Sequence, residues 1–400
     1  MDLKILQLTK KPPFPLKDGE SIAISYLSRA LSELGCEISL LTMVTTKHPV
    51  RKDEIIKNCP HFKDIQIVNV DNKINYLDAF INLFNEDSYH ITRFISAEYE
   101  RKLIEILESQ DFDIIQLETL YLTPYIKSIR KYSSAKICMR SHNVEHEIWE
   151  RMANNSRNIF KRIYLSHLAK KLKEYEIKNI NEYDFLISVS ERDLKKHIEL
   201  GYKKDSFTSP IGLNLSKYKK QNHLRLLSDI CFIGSLDWMP NIEGLIWFME
   251  KVWPLLSARN PELKFHIAGR NISSEVKSFA SQNVIIHGEV YSAVEFINSF
   301  QIMIVPLLSG SGTRVKILEG MSLGKSIVTT TIGKEGIDAE DKKHLLVADS
   351  PLDFISAIEC LLMDEYLRYS IGTNAEKFVK SHYDYLSNAE RLLNNYKSMV

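Results

Sequence analysis

The side chains best placed to do chemistry lie in one stretch, Gln301 to Thr331. Gln301–Leu308 is a largely apolar run that reads as a buried parallel strand. Ser309-Gly-Ser-Gly-Thr313 follows as a tight turn, Arg314–Leu323 as a helix stopped by Gly324, and Ser326–Thr331 as the next strand. A glycine-rich turn that opens a helix directs backbone N–H groups and the positive end of the helix dipole at one point, which suits a phosphate. Arg314 and Lys316 add full charges there, and Lys316 and Glu319, spaced i, i+3, share a helical face. A carboxylate one turn behind a phosphate site stands where a ribose would lie, so the pattern implies a nucleoside diphosphate. An ordinary βαβ crossover with a polar helix face fits the same residues.

Ligands in open α/β sheets gather beyond the carboxyl ends of the strands, so the residues after the other apolar runs come next. Pro12–Glu20 follows the first run and contains Gly19, which lets a backbone approach a ligand closely; a proline-stiffened surface loop is the alternative. Arg140-Ser-His-Asn-Val-Glu-His-Glu147 follows the run ending at Met139, and His142, Asn143 and Glu145 offer polar contacts. His142 and His146 are spaced i, i+4, but the residue after His142 is not a glutamate and no third ligand accompanies the pair, so no metal is expected. Two histidines hydrogen-bonded inside the fold are the plainer alternative. Ser190 and Asp193 read as a capping box at a helix start.

The elements that must hold these residues alternate along the chain. Leu3–Leu8, Cys36–Thr42, Ile65–Val70, Asp113–Leu117, Ala135–Met139 and Phe185–Val189 read as strands, with helical patterns between them such as Glu20–Leu34. Pro210–Asn214 looks like a hinge. A second series, Asp229–Ile233, Lys264–Ala268, Val284–His287, Ile302–Leu307 and Ser326–Thr330, follows it, with a helix over Ile242–Val252. Arg151–Lys178 is a long helical pattern that interleaves Arg157, Lys161, Arg162, Lys170, Lys171 and Lys173 with Ile159, Phe160, Ile163, Tyr164, Leu165 and Leu168. It could lie on an anionic membrane or be a core helix with a solvated face.

Four hundred residues exceed one ordinary core, so two domains are expected. With 44% hydrophobic and 26% charged residues the chain is of soluble globular type, and a formal charge of +1 argues against a nucleic-acid binder. Five scattered cysteines form no disulfide framework, and neither a signal peptide nor a membrane-length apolar run is present, so a cytoplasmic location is expected.

The segment Ser309–Val328 resembles the donor motif of family-4 glycosyltransferases of the GT-B fold, in a bacterial subgroup with Gly-Ser-Gly-Thr-Arg-x-Lys-x-x-Glu. Members carry two glutamates separated by seven residues. Glu319 matches the second, and Ser311 stands where the first would be. Arg140–Glu145 resembles the same subgroup's Arg-x-His-Asn-x-Glu segment. The resemblance implies two Rossmann-like doubly wound domains facing a central cleft: 1–212 on the acceptor side, 213–380 on the nucleotide-sugar side, and a helix over 381–400 crossing back to the first.

It implies transfer of a sugar from a nucleotide-diphosphate donor, UDP or GDP, to a glycan or lipid-linked acceptor with retention of configuration, without metal or cofactor. Arg314 and Lys316 would hold the diphosphate and Glu319 the ribose. Gly19, Gly310, Ser311, Gly312, Thr313 and Asn241 would line the donor site, His142 would face sugar or acceptor, and Asn143, Glu145 and Ser190 would lie on the acceptor side. Many relatives place an arginine and a lysine after the first strand of the second domain. Here that loop, Gly234–Asn241, has no cation. A nucleotide-sugar 2-epimerase and a non-catalytic nucleotide-sugar binder are the alternatives.

Overall fold

The computed structural model describes residues 2–73, 88–156, 158–220 and 227–400, with backbone only at 227 and 228. They divide into two compact units. The first comprises Met1–Gly212, Ser311–Thr313 and Tyr385–Val400, and the second Leu213–Gly310 with Arg314–Asp384.

The first unit is built on β1 (Lys4–Thr9), β2 (Glu37–Val44), β3 (Asp64–Asn69), β4 (Ile114–Leu117), β5 (Lys136–Ser141), β6 (Phe185–Ser188) and β7 (Asp205–Thr208). All pair in parallel, in the order β3-β2-β1-β4-β5-β6-β7. The nearly continuous apolar runs of the inner strands are what a sheet covered on both faces requires. β7, Asp-Ser-Phe-Thr, escapes sequence reading because one apolar residue in four gives no pattern. One face carries Leu6, Leu8, Leu41, Ile115 and Leu117 in its core. The other packs Ile5, Ile38 and Ile114 with Leu27 and Leu31 of the Gly19–Glu33 helix and with Leu392 and Tyr396 of the Tyr385–Met399 helix.

The second unit uses β8 (Leu227–Ile233), β9 (Phe265–Ala268), β10 (Val284–Gly288), β11 (Phe300–Val305), β12 (Ser326–Thr329) and β13 (Leu346–Val347), in the order β10-β9-β8-β11-β12-β13. Two-residue β13 is too short to register in the sequence. Each sheet reverses its order beside its first strand, between β1 and β4 and between β8 and β11. At such a switch point the connections leave in opposite directions and open a crevice at the carboxyl edge. Both units are thus Rossmann-like α/β domains, the GT-B fold class.

Two helical expectations need correction. The pattern over Arg151–Lys178 is two helices, Glu145–Asn155 and Ile159–Asn179. Asn158 starts the second, its side chain accepting from the Lys161 N–H, and a side-chain cap competes with helix continuation. Arg157 lies outside the described residues. The helix expected over Ile242–Val252 begins earlier, at Met239, and runs through a π-helical turn, Phe248–Val252, to Arg259.

Candidate active site

In the second unit the switch point collects most of the expected donor residues. β11 leaves through Pro306 to the glycine turn, whose Gly310 has φ +122° and Gly312 φ +73°, a region that penalises a Cβ. The Val315–Ser322 helix follows, with buried Arg314 at its N-cap position. Arg314 folds back onto the turn: Nη2 donates to the Ile332 carbonyl (3.2 Å), and a Cβ on Gly310 would lie 3.1 Å from that nitrogen.

Lys316, the second residue of this helix, is half-buried. Its Nζ donates to Asn241 Oδ1 (2.7 Å) and sits 4.8 Å from the centroid of the Phe232 ring. Gly234, the residue after β8, leaves room for it: a Cβ there would come within 2.6 Å of Nζ. Among the described residues no carboxylate pairs with this ammonium. Burial and then the neighbouring Arg314 charge push Lys316 down to about 7. Glu319, also half-buried, accepts from Tyr218 Oη at 3.0 Å, and burial outweighs that bond and the Lys316 charge to raise it to about 7.

Three residues at this edge went unnoticed in the sequence. Glu243 Oε2 accepts from buried Ser309 Oγ (2.5 Å) and ties the Met239–Trp247 helix to the turn. Arg270, just beyond β9, donates from Nε to Ser235 Oγ (2.8 Å), so a cation from another strand reaches the loop that has none of its own. Tyr218 is the third, supplied from beyond the Leu215–Lys217 turn. Their partners lie 66, 35 and 101 positions away, so no local spacing could have flagged them.

The first unit concentrates polar side chains at its own carboxyl edge. Glu118, immediately after β4, is fully buried and receives Arg140 Nη1 (3.1 Å), His142 Nε2 (2.9 Å) and the amides of Gln7 and Gln116. Tyr396 donates to Gln116 in turn. Burial alone would raise the Glu118 carboxyl, but the Arg140 charge and the His142 bond outweigh it and hold it at about 2. An ionised Glu118 accepts a hydrogen bond from the Nε2–H of His142. Burial lowers His142 against the pull of Glu118, leaving a neutral ring whose Nδ1 has no hydrogen-bond partner among the described residues.

The remaining expected residues disperse within this unit. Gly19 opens the first helix behind Asp18, whose carboxylate caps Ser21 N (3.0 Å) and binds Lys11 (2.5 Å). Glu145 is buried, accepts from Tyr121 Oη (3.0 Å) and is raised by burial. Ser190 Oγ accepts from Asp193 N (3.1 Å) as a helix cap. Ser311, Gly312 and Thr313 group here rather than with Arg314. Ser311 Oγ accepts from Val144 N (3.0 Å), Thr313 Oγ1 donates to the Val189 carbonyl (3.3 Å), and a Cβ on Gly312 would strike the His142 carbonyl at 2.1 Å. Turned to satisfy its neighbours, the Asn143 amide donates to the carbonyls of His142 (3.0 Å) and Ser311 (2.9 Å). His146 binds Glu176 (2.6 Å) rather than pairing with His142, and no metal-ligand cluster occurs among the described residues.

Residues 228–364 match the family model described as glycosyl transferases group 1, which supports a glycosyltransferase. Over nearly its whole length the chain is similar to an uncharacterized 44.6 kDa protein in the cps region of Klebsiella pneumoniae, 24% identical over 393 residues, covering 95% of this chain and 96% of that protein. Among solved structures it shares its fold with sucrose-phosphate synthase from Thermosynechococcus elongatus, at TM-score 0.73, 14% identity and 99% coverage of both chains. It is similar to a TarM mutant of S. aureus in complex with fondaparinux, alpha-GlcNAc-glycerol and UDP (TM-score 0.72, 14% identity, 98% of this chain and 99% of that one). It is also similar to Anabaena HepE in complex with UDP-glucose (TM-score 0.71, 12% identity, 99% and 100% coverage).

Proposed function

We propose that the protein transfers a sugar from a nucleotide-diphosphate donor, UDP- or GDP-linked, to a glycan or lipid-linked acceptor with retention of configuration. The observation that carries this reading is Lys316, a half-buried ammonium at the switch point whose acceptor among the described residues is the neutral Asn241 oxygen. A buried cation without a carboxylate partner is costly unless an anion arrives, and the turn beside it presents a helix N-terminus as well. The group 1 match and the UDP and UDP-glucose named with two fold relatives agree with that anion being a nucleotide diphosphate.

In this mechanism Arg314, Lys316 and the helix N-terminus stabilise the departing diphosphate as the glycosyl centre gains positive charge, and Glu319 accepts from the ribose hydroxyls. His142, held through Nε2, offers Nδ1 as an acceptor to a hydroxyl of the transferred sugar or the acceptor. The proton of the attacking hydroxyl passes to the leaving phosphate. Side-chain cations take the role that a metal serves in other transferases, and the reaction belongs in the cytoplasm, where activated sugars are made.

The test is to incubate the purified protein with a panel of UDP- and GDP-sugars, with and without EDTA, following thermal shift and slow donor hydrolysis. One nucleotide series should stabilise the protein and be hydrolysed equally in chelator. Absence of any shift, or activity lost in EDTA and restored by Mg²⁺, would overturn the reading.

A further inference from the structure

The Ile159–Asn179 helix begins with a turn that the rest of the first unit does not cover. Ile159 is 57% exposed, Phe160 80%, Ile163 61% and Tyr164 36%. At 3.6 residues per turn these four fall within about 140° of one another, on the side away from Leu165, Leu168 and Leu172. Those three leucines are buried. The first turns are therefore apolar on both sides, and one apolar side faces out.

The charge around that face is one-sided. The sequence from 151 to 173 holds seven arginines and lysines and neither aspartate nor glutamate, and although Arg151, Lys170 and Lys173 pair with Glu147, Glu174 and Glu150 outside it, those pairs lie away from the exposed turn. Lys161 and Arg162 flank the apolar residues directly and are themselves exposed. A second copy of the chain would bring the same positive field against its own, which disfavours pairing through this face. Another exposed apolar group, Met363, Tyr366 and Tyr369, sits beside Asp364 and Glu365 and has no such field.

We infer that the N-terminal turns of this helix are a membrane-surface anchor, with Phe160, Ile159 and Ile163 entering the acyl boundary of an anionic leaflet while Lys161 and Arg162 hold its headgroups. Interfacial helices bind through buried apolar area together with attraction to anionic lipid. No helix among the described residues is long and apolar enough to cross a membrane, so the contact would be peripheral. It would bring the first unit to a lipid-linked acceptor, and in that respect it extends the proposed function.

The test is sedimentation of the full chain, without nucleotide, with vesicles of phosphatidylcholine alone or with one-third phosphatidylglycerol. Binding should require the anionic lipid and weaken with salt. Phe160→Ser with Ile163→Ser, and separately Lys161→Glu with Arg162→Glu, should each lower binding by about tenfold or more, since both contributions are needed. Circular dichroism and nucleoside-diphosphate binding should remain those of the parent, because the four side chains are exposed. The inference is overturned if the chain ignores anionic vesicles, or if the variants bind them as the parent does. It is equally overturned if the parent sediments as a dimer that the serine variant dissociates. None of these results bears on donor hydrolysis, so the transferase reading stands or falls separately.

Discussion

Glu118 and Glu319 both follow a central strand of a parallel sheet, and their surroundings drive them in opposite directions. Glu118 is sealed in, yet Arg140, His142 and two amides surround it, and it stays ionised down to about 2. Glu319 is less buried but has Tyr218 as its hydrogen-bond donor, and it is raised to about 7. Its neighbour Lys316 is likewise under-paired. A charge fully satisfied by the protein fixes structure, whereas one left short of partners has free energy to gain from a ligand. The first unit's polar cluster holds a ring in place, and the second unit's leaves Lys316 short of a partner, the feature on which the proposed anion site rests.

The comparison is broken most directly at Glu118. Glu118→Ala would leave the Arg140 guanidinium buried without a carboxylate, and losing one partner of such a pair costs about 3–5 kcal/mol. Denaturant unfolding should show that loss. A change below about 1 kcal/mol would mean that water replaces the carboxylate and the cluster is not structural.

Next in size are Arg314→Ala and Lys316→Ala. Each should weaken nucleoside-diphosphate binding by about tenfold or more, since a charge-assisted hydrogen bond is worth about 1.5–3 kcal/mol. The nucleoside without phosphates should bind both variants as it binds the parent. Equal losses for nucleoside and diphosphate in calorimetry would place these residues in the scaffold instead.

Acidity separates the two carboxylates by sign. The folded-state value of Glu118, about 2, lies below the ordinary 4.5, so its stabilisation is complete above 4.5 and lost as pH falls from there toward 2. Glu319, at about 7, is raised, so between 4.5 and 7 the folded state binds more protons and stability falls as pH rises. Lys316, at about 7 against 10.5, is depressed, and its destabilisation is relieved as pH rises from 7 toward 10.5. Unfolding midpoints across pH should lose the acid-side slope in Glu118→Gln and the slope from 4.5 to 7 in Glu319→Gln. Identical profiles in both variants would erase the distinction.

The smallest effect is expected from Tyr218→Phe. Removing one hydrogen bond from Glu319 changes about 0.5–1.5 kcal/mol. It should raise the carboxyl further and weaken nucleoside binding at neutral pH, with the deficit shrinking as pH rises. A deficit independent of pH would make Tyr218 a packing residue.

The sequence alone determined the alternation of strands and helices and hence two doubly wound sheets, because apolar runs and the glycines that stop helices act over a few residues. The same locality made the Ser190 cap and the glycine turn before Arg314 legible. Tertiary structure decided which charges have partners. Glu118 was passed over because its acidic side chain follows an ordinary strand, and only the β1-β4-β5 order brings Gln7, Arg140 and His142 onto it. The cation missing from Gly234–Asn241 comes to that loop from Arg270, because β8 and β9 are neighbours in the sheet. Ser311 through Thr313 read in the sequence as one cradle with Arg314, and it took the fold to show that they also meet His142, Val144 and Val189. Pairing energies depend on distances across the sheet, and a one-dimensional pattern holds no record of those.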